Sequence, residues 1–461
     1  MINRREFLGK LAGAGAGLAA AGLFTPLGML ETCAAGTGDK VKVTGGFARE
    51  TAPGLLRVRA LSLQPSFRIK FDSPADARLK VEIVNVWGER LKISGDGVGD
   101  ETRGRMKISF ELQPRDNGTA AVETEYTPGA GGNFDFIAFS DTHLGDPEAE
   151  QHFASVLKHV NVRRPVFAAD AGDIIDVDEP KQWDVFEEKQ ALFETPLFTT
   201  IGNHDSYIST KLYREHLGDL FYGFFAGGSQ FLFLDNAQRY NNATLYMTDG
   251  ARNSQWDWLR EQLALPAENR FVFFHFPVYG NRSMGDEMYM QTTPPEERNR
   301  EIEEMIGLFR ESGVDYLCFG HDHSPKREVR DGIVHLRLGG GGGSKASHTD
   351  DRNVNFAHIF VDEKGIRDYT VFTIFQDKEI EKIEFCEAPG RVAAGTQTPL
   401  IVHGLGGGRY LALEPEISVV SGAAGKIEGN ILKAVSPGRV ELQAVYAGMK
   451  ATHNIEIVNK L

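Results

Sequence analysis

Seven side chains able to hold a divalent cation fall in five short blocks along the chain. Asp141 and His143 stand in Ser140-Asp141-Thr142-His143, Asp173 in Gly172-Asp173-Ile174-Ile175-Asp176, and Asn203 in Gly202-Asn203-His204-Asp205. His275 stands alone, and His321 and His323 share Gly320-His321-Asp322-His323. Carboxylates, imidazoles and one amide oxygen make a donor set suited to borderline divalent ions such as Mn, Fe or Zn more than to Ca or Mg. A histidine taken singly is more often structural, and His152, His159, His216, His335, His348, His358, His403 and His453 are assigned to that class, with Asp205 and Asp322. What sets the seven apart is their position.

Each block follows a short apolar run: Phe134 to Phe139, Pro165 to Ala169, Leu197 to Ile201, Phe271 to Phe274 and Tyr316 to Phe319. Such runs read as buried strands. Phe153, Val156, Leu157 and Val160 recur at helical spacing, as do Ile302, Met305, Ile306 and Phe309, so these stretches are predicted to be helices packing on a sheet. Strands alternating with helices make an α/β layer over residues 131–387, and ligands in such folds bind at the carboxyl ends of the strands. Five strand ends of one sheet can then converge on one site.

The ordered series Asp-x-His, Gly-Asp-x-x-Asp, Gly-Asn-His-Asp, a lone His and Gly-His-x-His resembles the calcineurin-like metallophosphatases, over about half of the chain. The resemblance implies an αββα core, a central β-sandwich flanked by helices. It also implies that Asp141, His143 and His323 hold one metal and Asn203, His275 and His321 the other, with Asp173 bridging. His204 would face the leaving-group oxygen as general acid, and Asp176 would orient its imidazole. Two ions about 3.5–4 Å apart lower the pKa of a bridging water, and the resulting hydroxide attacks phosphorus in line. The ions also neutralise phosphate oxygens in the transition state, so an acidic protein can serve an anionic substrate. The expected activity is metal-dependent phosphoester hydrolysis, with phosphodiesters favoured over monoesters and a small phosphoester as substrate.

Departures from related patterns narrow the class. Asp176 stands where purple acid phosphatases carry a tyrosine on ferric iron, so no charge-transfer centre is expected. Val177-Asp178 replace the Arg-Gly of serine/threonine phosphoprotein phosphatases, and Asp205 replaces their Glu. The tail after Ala388 is too short for the base-stacking domain of secreted nucleotidases. What remains resembles the broad group related to bacterial cyclic-nucleotide phosphodiesterases. Gly339 to Gly343 read as a loop rather than a phosphate cradle, since no helix start or Lys-Ser/Thr signature follows. Tyr279 to Arg298 read either as a substrate loop or as a long connection.

The flanks have a different grammar. Arg4-Arg5 ahead of a Gly/Ala/Leu-rich run resemble a twin-arginine export signal over residues 1–35, which predicts a periplasmic or cell-envelope protein. Cys33 offers a loose lipoprotein site. Residues 36–130 alternate apolar and polar side chains between turn residues, the pattern of a β-sandwich, with Gly129 to Gly132 as linker. Residues 388–461 alternate again and resemble a bacterial immunoglobulin-like domain. With 461 residues, a net charge of −14 and three cysteines, the chain is a multidomain globular protein. It lacks a disulfide framework, and the charge argues against a nucleic-acid partner. The β modules could contact envelope glycans or lipid. The alternative is a non-catalytic envelope binding protein on the same scaffold, against which the complete donor blocks weigh.

Overall fold

The computed structural model describes residues 32–33, 40–74, 76–115, 118–126, 132–237, 252–279, 295–342, 354–374, 380–386 and 388–459. The expected signal, the lipidation site, most of the Gly129–Gly132 linker, Gly343, His348 and the core of the Tyr279–Arg298 segment lie outside the described residues or their described side chains. No helix among the described residues is long and apolar enough to cross a membrane.

Before the α/β region, two five-stranded sheets face each other. In the strand Arg68–Asp72, Ile69 and Phe71 point inward while Arg68 and Lys70 are exposed, as period-two alternation requires. Ile69 and Val122 of one sheet and Val58, Ile83 and Phe110 of the other share a single core.

The central region is built on two larger sheets. In the eight-stranded one, Leu197–Thr199, Phe167–Asp170 and Phe134–Phe139 lie side by side and parallel. The antiparallel hairpin Val354–Asp362 and Gly365–Ile374 continues it. In the six-stranded sheet, Ser229–Phe233, Arg270–Phe273, Tyr316–Phe319 and Ile333–Arg337 are all parallel. An aromatic core joins the two. Phe136 stacks on Phe167 in its own sheet at 5.0 Å and meets Phe231 and Phe271 of the other edge-on at 5.4 and 5.6 Å.

The remaining apolar faces bury against helices. Pro147–Arg163 sets Phe153, Val156, Leu157 and Val160 against Ile137, Phe139 and Phe356. This helix is started by Asp146, whose carboxylate accepts the amides of Glu148 and Ala149 at 2.9 and 3.2 Å, and by Pro147 at its first position. Met305, Ile306 and Phe309 of Pro295–Glu311 pack on Val272 and Leu317 of the other sheet.

The tail is rich in strands, a four-stranded and a three-stranded sheet around Leu432, Leu442, Ile455 and Ile457. Its strands Ile401–Gly406 and Arg409–Ala412, however, join the eight-stranded sheet, where Tyr410 and Leu411 pair with Phe372 and Thr373. The central sheet thus continues across the expected boundary at 387–388.

Candidate metal centre

The five blocks emerge from the carboxyl ends of five parallel strands, three in one sheet and two in the other. The expectation of a single sheet is corrected here: buried strands of both sheets carry the same apolar pattern, so sequence could not divide them. Backbone bonds then lace the turns together. The Asp141 amide donates to the Gly172 carbonyl at 2.8 Å, the His143 amide to that of Asp173 at 3.0 Å, and the Gly320 amide to that of His275 at 3.0 Å.

These turns are strained in a common way. Nine non-glycine residues among those described have positive φ, and five are Asp141, His143, Asp173, His321 and His323, at 45 to 71°. A left-handed backbone disfavours any side chain with a Cβ, so five such residues in one place point to a site that the surrounding fold over-determines. Gly202 shows how close the loops come. A Cβ there would lie 2.1 Å from the Asp173 amide nitrogen and 2.2 Å from its Oδ1.

The donor atoms gather in two triads. Atoms of Asp141, His143 and His323 lie within 4.8 Å of one another, and so do atoms of Asp173, His275 and His321. His143 and His323 bring their Nε2 atoms to 3.3 Å, and His323 Nε2 stands 3.3 Å from Asp141 Oδ1. His275 donates Nδ1–H to the Ala171 carbonyl at 2.8 Å, which turns Nε2 toward Asp173 Oδ2 and Asn203 Oδ1, each at 3.1 Å. All seven residues are thus drawn into one cluster.

Charge within the cluster suits a cation. Burial opposes ionisation of Asp141, but the charge and hydrogen bond of His323 outweigh it and hold the carboxyl at about 2. Burial likewise opposes Asp173, and the charges of His275 and His204 keep it well below its ordinary range. Burial and the His275 charge push His321 down to about 3, so it is a neutral donor. For His275 the Asp173 carboxylate overcomes burial and raises the imidazole to about 10. Ionised carboxylates and a neutral imidazole are the forms that ligate metal. The residues present therefore fit two divalent ions.

His204 sits beside this cluster, its ring meeting that of His143 edge-on at 4.6 Å. Its amide donates to Asp173 Oδ1 at 2.8 Å and its Nδ1–H to the backbone carbonyl of Asp176 at 2.6 Å. Asp176 therefore orients His204 through its main chain. The Asp176 carboxylate stands between two rings: its Oδ1 lies 3.5 Å from His143 Nδ1, and donor atoms of His143, Asp176 and His204 lie within 4.8 Å of one another. Burial lowers the His204 pKa, but the Asp173 charge and the Asp176 carbonyl more than offset it and raise it.

Some residues assigned to structure, or passed over, support the site directly. The buried Asp205 carboxylate accepts the amides of Ile174, Ile175 and Gly202 at 2.8, 3.0 and 2.7 Å and so ties two ligand loops together. Asn236 accepts the amides of His275 and Phe276 at 3.1 and 3.0 Å. It follows the apolar run Phe231 to Leu234, so the strand-end pattern that located the other blocks could have found it. The amides of Gly340, Gly341 and Gly342 donate to the carbonyls of His323, Ser140 and Asp141. They clasp the site rather than cradle phosphate. Of the other described histidines, His358 pairs with Asp135 and His403 with Glu384, both away from the site, while His152 bonds the Gly342 carbonyl at 2.9 Å.

Parallel strands thus deliver Asp, His and Asn to two adjoining groups of side chains that could hold metal. Residues 134–325, less than half of the chain, match the model of the calcineurin-like phosphoesterase family. No curated protein matches the chain. Solved structures similar to it include a dimetal phosphatase from Danio rerio, 17% identical over 52% of this chain and 98% of that one, TM-score 0.39. A Plasmodium protein described as the anchor in the inner membrane complex is 15% identical over 52% of this chain and 85% of that one, TM-score 0.40. A phosphopantetheinyl hydrolase from Mycobacterium tuberculosis is 14% identical over 46% of this chain and 92% of that one, TM-score 0.31.

Proposed function

We propose that this protein is a metal-dependent phosphoester hydrolase, with phosphodiesters preferred over monoesters and Mn, Fe or Zn as its ions. The observation that carries the reading is the pair of donor triads, drawn from five strand ends and set on strained backbone. Asp141, His143 and His323 would hold one ion, and Asn203, His275 and His321 the other, with Asp173 between. Bound there, the pair would supply an activated water and neutralise phosphate oxygens. The protein's own residues do the rest. Asp205 and Asn236 keep the ligand loops from moving, the His275 bond to Ala171 selects the ring nitrogen that faces the site, and His204, held at Nδ1, presents Nε2 to deliver a proton to the leaving oxygen.

In this reading the core has the αββα layering, the tail is an immunoglobulin-like module, and the chain is exported by its twin-arginine signal to the envelope, with Cys33 as an optional lipid anchor. The test is hydrolysis of bis(p-nitrophenyl) phosphate and p-nitrophenyl phosphate, side by side, by the Mn-loaded chain lacking residues 1–35. Chelator-sensitive turnover, faster on the diester, is expected. Faster monoester turnover would reverse the preference, and no turnover of either would favour a binding protein on this scaffold.

A further inference from the structure

A cavity of about 600 Å³ lies between the amino-terminal sandwich and the central domain, away from the metal centre. Such a volume is in the range of small-molecule sites. Its sandwich wall is basic: Arg49, Arg57, Arg59, Arg105 and Lys107 all line it. The carboxylates around it are already engaged. Glu187 takes Arg49, Arg57 and His216, Glu194 takes Arg105, and Glu82 takes Lys107 at 3.4 Å.

Arg59 differs from the rest. It is 4% exposed, and among the described residues no carboxylate lies within ion-pair distance of it. Its one hydrogen bond runs from an Nη to the Leu197 carbonyl at 2.9 Å, and its Nε, like that of Arg57, is buried without a partner. Burial pulls its pKa down to about 10, which leaves it cationic at neutral pH. A buried guanidinium without a counter-anion is costly, and its planar fork matches two oxygens of a phosphate or carboxylate. Phe47, Val84 and Phe193 add apolar wall beside it, room for the organic body of such a ligand.

We propose that this interdomain cavity is a binding site for a small organic oxyanion, a phosphate or carboxylate held by Arg59 and Arg57. The inference stands apart from the hydrolytic reading.

The experiment is calorimetric titration of phenyl phosphate and of benzoate into the full chain carrying Asp173→Ala, which removes the metal centre as a competing acceptor. It is repeated with Arg59→Met and with Ala191→Trp, a bulk at the cavity wall that leaves every arginine in place. Arg59→Met should still fold, because Asn85 Nδ2 continues to donate to the Leu197 carbonyl at 3.0 Å. Saturable binding of either probe, weakened roughly tenfold or more by both substitutions, is the expected result, and the tighter probe names the head group. Binding unchanged in Arg59→Met, or no saturable binding of either probe, would overturn the proposal.

Discussion

At His204 two bonds decide what the ring can do. With its Nδ1–H on a carbonyl, only Nε2 remains to exchange a proton with substrate, and the neighbouring carboxylate raises the pKa toward the protonated form. His204→Ala should lower kcat roughly 10²–10⁴-fold with both metals retained, most for poor leaving groups; metal analysis beside kinetics on a leaving-group series checks this. Asp176→Asn should act differently, because its carboxylate faces His143. Metal affinity should weaken roughly 10- to 100-fold, and the pH limb assigned to His204 should move only slightly down, because the Asp176 charge raises that imidazole less than those of Asp173 and Asp205; unchanged metal affinity would mean the carboxylate does not support His143. A third expectation concerns protons. His275, raised to about 10 beside Asp173, is protonated in the metal-free protein, so an ion must displace that proton. Apparent metal affinity should therefore rise from neutral pH toward about 10 and fall on acidification, as titrations at several pH values would record. That these seven side chains would gather was legible because residue type and place agreed. Which part of Asp176 would reach His204 was not, since backbone and carboxylate belong to one position in sequence.

The turns after the strands owe their shape to close approach. A Cβ at Gly202 has no space beside Asp173, whereas one at Gly307, in the helix Pro295–Glu311, meets nothing within 4 Å. Gly202→Ala should cost about 1–3 kcal/mol through overpacking and empty the metal centre, while Gly307→Ala should be neutral or stabilising by up to about 1 kcal/mol. Thermal denaturation with metal analysis separates the two. Apolar runs and helical spacing announced the elements themselves, as Phe134–Phe139 and Pro147–Arg163 illustrate. Left-handed backbone at Asp141 or His323 was not announced, because it is imposed by bonds between loops distant in sequence, such as Asp141 to Gly172 and His321 to Asp141.

Across the whole molecule, the sandwich braces a strand that leads into the site. Asn85 exchanges hydrogen bonds with Leu197, donating at 3.0 Å and accepting at 2.7 Å, and Leu197–Thr199 runs on to Asn203 and His204. Alternation along residues 40–126 foretold the sandwich but not this docking, since polar residues at a domain contact read like ordinary surface. The tail's addition to the central sheet was hidden for a similar reason: an edge pairing as short as Phe372 and Thr373 with Tyr410 and Leu411 leaves no periodic trace. The central claim remains that two ions at this centre hydrolyse a phosphoester. The direct test is to titrate Mn into the metal-free chain while following both bound metal and bis(p-nitrophenyl) phosphate turnover. Activity that appears as two equivalents bind, and disappears with chelator, is the predicted result; a chain that binds both ions yet turns over neither diester nor monoester, or turns over without metal, would contradict it.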